Sequence, residues 1–160
     1  MDYKLLKITD DVYAKIDTRD YEKCRQYNWW LRRADKYTYP MTTIGRKSVG
    51  LHRVVLGLEN APKTTYIDHI NGDMLDNRRE NLRVCTNAQN QWNVPKKSTS
   101  KQKYKGIRET KYGTYEVRIR HLGKRLYLGT YKTEIEAVDV YNRKARELHG
   151  EFAYINEIIE

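Results

Sequence analysis

The chain has 160 residues, with 31 Lys and Arg against 21 Asp and Glu, a formal net charge of +10, and 14 Tyr and 3 Trp. That length admits one ordinary domain or two small ones, and basic charge mixed with rings suits a polyanion that also presents sugars and bases. Only Cys24 and Cys85 are present, far apart in sequence, so neither a disulfide framework nor a four-cysteine zinc site is available. No stretch approaches a signal-peptide core or the ~20 apolar residues of a membrane span, so a soluble, cytoplasmic protein with no membrane partner is expected.

Residues 1–58 predict short strands over VYAKID, WWLRR, YTYPMTT and VGLHRVVLG, around a short helix DYEKCRQYN opened by Asp20. Trp29, Trp30, Leu51, Val54 and Leu56 are assigned to a core, because large apolar groups gain most by burial. His52 reads as a structural histidine, with a place beside a reactive site as the alternative. This stretch is scaffold.

The chemistry begins at Thr65, in TYIDHINGDMLDNRRENLRVCTNAQNQWN. Tyr66 and Ile67 predict a strand ending at Asp68 and His69, and Asn71-Gly72-Asp73 a turn. Asp76 to Leu82 forms a tight loop or short helix, Arg83 to Cys85 returns as a strand, and Thr86 with Gln89 makes a capping box for a helix that Pro95 closes. Asn90 and Asn93, three apart, share a face of that helix.

Val94 to Lys103 is polar and basic, the composition of a solvated linker. Residues 94–132 hold 12 basic and 2 acidic side chains, whereas 133–160 hold 3 and 7. Such asymmetry fits a basic binding surface backed by an acidic supporting element.

Beyond the linker, Tyr115, Val117 and Ile119 alternate with Glu116, Arg118 and Arg120, the period of a half-buried strand. His121 to Lys124 makes a turn, after which Arg125 and Tyr127 point one way and Leu126 and Leu128 the other; Ile107 and Arg108 start a third strand. Thr133 and Glu136 form a capping box, and Ala137 or Val138, Tyr141, Ala145 and Leu148 share a helical face ended by Gly150. The helix covers the apolar face of the sheet and leaves a basic, aromatic face for a major groove.

DHINGD, LDNRRENLR and TNAQNQWN, in that order and spacing, resemble the HNH endonucleases of phage and intron homing type. The resemblance implies two strands and a helix gripping one divalent metal ion, with His69 as the general base, Asp68 and Asn90 as metal ligands, and Asn81 bracing the loop that holds the histidine. Asn93 is a weaker ligand candidate, and Asn90 stands where the family often has histidine. Arg78, Arg79 and Arg83 are candidate phosphate contacts. YKGIR, the Gly113 turn, YEVRIR, LYLGTYKTEIEA and AYIN resemble the plant ethylene-response-factor DNA-binding domain, also called the APETALA-two domain. Its contact positions correspond to Arg108, Tyr112, Arg118, Arg120, Arg125 and Tyr127. Tyr112 and Tyr127 replace its usual tryptophans, Thr110 a common arginine and Arg118 a common glutamate, so its target sequence does not carry over.

The chemistry agrees with the first resemblance. In-line attack on a phosphodiester builds charge that a hard dication stabilises, carboxylate and amide oxygens suit Mg²⁺ or Mn²⁺, and imidazole is the natural base near neutral pH. The expectation is therefore an α+β chain with a ββα-metal nuclease over 1–93 (core motif 65–93), a linker over 94–103 and a three-stranded antiparallel sheet on one helix over 104–160. It would hydrolyse double-stranded DNA, leaving 5′-phosphate ends as the resemblance implies, nicking as a monomer or cutting both strands as a homodimer, in a phage or bacterial setting. The competing readings are a DNA-binding protein that keeps an inactive nuclease fold, and an RNA-binding protein whose tyrosines stack on single-stranded bases.

Overall fold

A computed structural model describes residues 2–34, 37–95 and 102–158. The fold is α+β, built from small antiparallel sheets and short helices. By contacts the chain divides into residues 1–87 and 88–160.

In the first unit, β1 (Tyr3–Lys7) pairs antiparallel with β2 (Tyr13–Asp17). The helix α1 (Thr18–Cys24) follows directly, with Asp17 at its N-cap position. Asp20 therefore does not open the helix as expected. It lies inside the first turn, buried, where it ion-pairs with Arg79. Next come β3 (Trp30–Ala34), β4 (Tyr37–Ile44) and β5 (Lys47–Gly50), an antiparallel sheet in that order.

VGLHRVVLG was expected to be a strand; only its first residues are. α2 (Leu51–Leu56) takes over at Leu51 and stops at Gly57, whose φ of 72° is the left-handed conformation that closes helices. The three buried residues, Leu51, Val54 and Val55, are spaced three and four apart, so helical geometry buries them together on one core face. Trp30, also assigned to the core, is 40% exposed. The core of this unit gathers Leu6, Ala14, Ile16, Cys24, Val49 and Leu82 around α2.

β6 (Tyr66–His69) and β7 (Leu82–Cys85) pair antiparallel, joined by a loop that ends in a 3-10 turn at Arg79–Asn81. α3 (Asn87–Asn93) follows. By contacts most of α3 belongs to the second unit, so that unit begins six residues before the boundary drawn at 93. The reason is local: Trp92 lies flat on His149, ring centroids 4.5 Å apart, and Lys105 Nζ donates to the carbonyls of Trp92 (2.7 Å) and Val94 (2.6 Å). Of the expected linker, residues 96–101 lie outside the described residues.

In the second unit, β8 (Ile107–Glu109), β9 (Tyr115–His121) and β10 (Lys124–Tyr131) form an antiparallel sheet with β9 in the middle. α4 (Glu134–His149) carries Ala137, Val138, Tyr141 and Ala145 into a shared core with Ile107, Val117 and Ile119. Its capping box is present: Glu136 N–H donates to Thr133 Oγ1, and Thr133 N–H to the Glu136 carboxylate. Each such cap contributes about 1 kcal/mol. Asn156, from AYIN, closes the unit. Its amide bonds both backbone groups of Lys105, and its own backbone bonds the side chain of Asn142.

Candidate active site

The β6–β7 pair delivers Asp68 and His69 at the end of a strand, where the next residues turn away. Asp68 pairs with Arg83 across the ladder, and His69 with Leu82. The loop between the strands is tied by its own side chains. Asn81 Oδ1 accepts from Asn71 N–H (3.0 Å), and Asn81 Nδ2 donates to Asn71 Oδ1 (2.9 Å) and to the Asp76 carbonyl (2.7 Å). Asp76 accepts from Asn71 Nδ2 and from Arg78. Asn77 N–H donates to the Lys15 carbonyl (2.8 Å) and Lys15 N–H to the Leu75 carbonyl (2.8 Å), fixing the loop to β2. Buried amides with this many bonds hold one geometry, because leaving any of them unpaired is costly.

The histidine itself is oriented by Asn77, which the sequence reading passed over. Asn77 is fully buried, and its Nδ2 donates to the Met74 carbonyl (2.9 Å). Its Oδ1 therefore faces the imidazole and accepts from Nε2–H of His69 at 3.3 Å. That arrangement puts the proton on Nε2 and the basic lone pair on Nδ1. On the other side, the ring of His52 meets His69 edge-on, centroids 5.6 Å apart at 84°. Burial pushes His69 below the ordinary histidine range, against the Asn77 bond and the charges of Asp68, Asp73 and Asp76, which pull it up. Burial also pushes His52 down, to about 3, with the neighbouring His69 and Arg53 adding to the effect. Both rings are thus held neutral near pH 7, the form a base requires.

Asp68 is buried, and Arg83 Nε and Nη2 both donate to its Oδ2, at 2.9 and 2.7 Å. The three arginines expected to meet phosphate are engaged within the protein. Arg83 holds Asp68; Arg78 holds Asp76 and Glu80; Arg79 holds Asp20 and the Val55 carbonyl, joining the 3-10 turn to α1 and α2. Asn90 and Asn93 stand on α3, and Asn90 is half-buried. Among the described residues no three His, Cys, Asp or Glu side chains form a metal-holding group. Asp68 offers a carboxylate oxygen, a hard donor of the kind divalent cations such as Mg²⁺ and Mn²⁺ accept.

In the second unit, Arg108, Arg118, Arg120, Arg125 and Tyr127 are exposed on the three-stranded sheet, and Tyr112 is exposed in the turn between β8 and β9. The register sets Arg120 opposite Arg125 and Arg118 opposite Tyr127. Glu116 lies between Arg108 and Arg118, bridging them at 3.2 and 3.0 Å. The opposite face is apolar and covered by α4.

The model of the HNH endonuclease family matches residues 49–92, the stretch that carries the strand-end Asp68-His69 pair and the asparagine-braced loop. The uncharacterized HNH endonuclease L560 of Acanthamoeba polyphaga mimivirus is 35% identical over 98% of this chain and 81% of its own length, and the chain belongs to the HNH endonuclease family. Protein 3.8 of Escherichia phage T7 is 37% identical over 58% of the chain and 76% of its own length. Dehydration-responsive element-binding protein 2D of Arabidopsis thaliana is 42% identical over 55 residues, a third of this chain and 27% of that protein. No solved structure matches. No helix among the described residues is long and apolar enough to cross a membrane.

Proposed function

We propose that this endonuclease is a metal-dependent, site-specific DNA hydrolase of homing or phage type, with His69 as its general base. The observation that carries the reading is the buried His69, kept neutral and turned by Asn77 so that Nδ1 is its basic nitrogen. Nδ1 takes a proton from water, the oxygen attacks phosphorus in line, and the bond to the 3′ oxygen breaks; that oxygen takes a proton from solvent to give a 3′-hydroxyl, leaving a 5′-phosphate on the other strand end. Asp68, oriented by Arg83, would supply a carboxylate oxygen to one Mg²⁺ or Mn²⁺ ion, and Asn90 would be the other ligand the resemblance implies. Bound there, the ion stabilises charge on the scissile oxygens. Asn81 acts on the loop and not on the imidazole, since its bonds run to Asn71 and Asp76.

In the same reading, residues 104–160 are a DNA-binding module of ethylene-response-factor type, with Arg108, Tyr112, Arg118, Arg120, Arg125 and Tyr127 facing duplex DNA. The partial identity to the plant protein and the exposed basic face support it. Tethering a reader to a cutter raises the local concentration of scissile DNA. The test is supercoiled plasmid with Mg²⁺ or Mn²⁺. Cleavage by the wild type, its abolition by EDTA and its loss in His69→Ala are expected; full cleavage by His69→Ala would overturn the assignment.

A further inference from the structure

The β3–β4–β5 sheet was read from the sequence as scaffold, and one face of it is. Leu31, Pro40, Thr42, Ile44 and Val49 alternate inward and are buried or packed on the core of the first unit. Strand pleating then sends the intervening residues outward. There the register sets Trp30 opposite Met41, Arg32 opposite Tyr39, and Thr43 opposite Ser48. Arg32, Thr43 and Ser48 are exposed, as is much of Trp30. The named residues of the three strands include no Asp or Glu, and no carboxylate among the described residues pairs with Arg32. Soluble surfaces ordinarily intersperse both signs of charge; this one is cationic, aromatic and hydroxylic.

The face is also continuous with the reactive histidine. A groove of about 400 Å³ is lined by Arg32, Tyr39, Ser48 and His52, and His52 in turn touches the His69 ring. Gly50 leaves room for the His52 ring, because a Cβ there would stand 2.5 Å from His52 Cε1.

We propose that the outer face of β3–β4–β5 is a DNA-contact surface of its own, seating the duplex beside the scissile phosphate. Arg32 meets a phosphate, and Trp30 and Ser48 meet the neighbouring backbone. Charge complementarity and continuity with His69 name the occupant, and the choice rests on the reading of His69 as the base. Tyr39 is half-buried and its ring meets Tyr37 at 6.1 Å, so stacking on free single-stranded bases is the poorer fit.

The test uses the full chain in EDTA, so that binding is read without cleavage, with a labelled duplex spanning a cleavage site mapped on plasmid. Arg32→Ala is expected to weaken binding about tenfold and to make the salt dependence of log K shallower by about 0.9, the signature of one lost phosphate contact. Ser48→Glu, which sets a carboxylate on the same face, should weaken binding further than Ser48→Ala and serves should Arg32→Ala fail to fold. Unchanged affinity and salt slope in folded Arg32→Ala or Ser48→Glu, or a loss seen for single-stranded RNA and not for duplex, overturns the proposal. His69→Ala separates the two readings: it should bind duplex normally while failing to cut. Normal cutting by it would sink the catalytic reading and leave the sheet measurement standing.

Discussion

Asn77 Oδ1 lies 3.3 Å from Nε2 of His69, and this contact assigns the two imidazole nitrogens different tasks. Without the acceptor the ring is free to carry its proton on either nitrogen, and part of the population loses its base. Asn77→Ala should lower kcat by about tenfold or more, the equivalent of one hydrogen bond of about 1.4 kcal/mol. Asn77→Asp, which keeps an acceptor, should recover part of it. Nitrogen-15 imidazole spectra of His69 would show a dominant Nε2–H tautomer in the wild type and a mixture in Asn77→Ala; identical spectra would rule the role out.

With His69 as the proposed base, the pH profile of cleavage follows from its burial. Because its pKa lies below the ordinary histidine value of 6.5, the neutral base persists at pH 6.5 and below. The cleavage rate, measured at saturating DNA, should still exceed half its plateau at pH 6.5 and reach half-maximum only at more acid pH. A half-maximal point above 6.5 would show that His69 is not the titrating base.

His52 gives a stability signature separate from activity. Held down to about 3 in the folded protein, it binds no proton where an unfolded histidine already does. Its contribution is complete above about 6.5 and is lost as pH falls from there toward 3, at about 1.4 kcal/mol per pH unit. Urea unfolding at pH 7 and pH 5 should show the wild type losing about 2 kcal/mol more than His52→Gln. Equal losses in the two proteins would count against it.

Gly106 holds the second unit together at a point no side chain can occupy. Its φ is 75°, and a Cβ there would approach the Tyr141 ring at 2.3 Å and the Arg118 carbonyl at 2.4 Å. Gly106→Ala should destabilise this unit by well over about 1 kcal/mol, since both the backbone and the contact are strained. Thermal melts would show it, and Gly113→Ala, where no atom lies within 4 Å of the added carbon, is the milder comparison.

The strand-end placement of Asp68 and His69 was legible in the sequence because its signals are local: a strand, a turn and ordered asparagines within one short run. Asn77 sits in the same run, yet it looked like one more turn amide; only the fold shows its oxygen aimed at the imidazole. The internal partners of the arginines were hidden for the opposite reason. Arg79 and Asp20 are 59 residues apart, and nothing near either one announces the pair. In α2 the two valines favoured a strand by propensity, while the spacing of Leu51, Val54 and Val55 fitted a helix, and burial decided for the spacing. The second unit read well because its strand alternation, hairpin turn and capping box are each short-range signals.

The stack of Trp92 on His149, with His121 5.2 Å from the same indole, gives the molecule a built-in optical gauge. An indole flat against imidazole loses part of its emission, more so when the imidazole is charged, whereas Trp29 and Trp30 have no imidazole contact of this kind. Whatever lifts α3 away from Lys105 and His149 would therefore brighten Trp92, and the brightness would follow the position of the helix that carries Asn90 without any added dye.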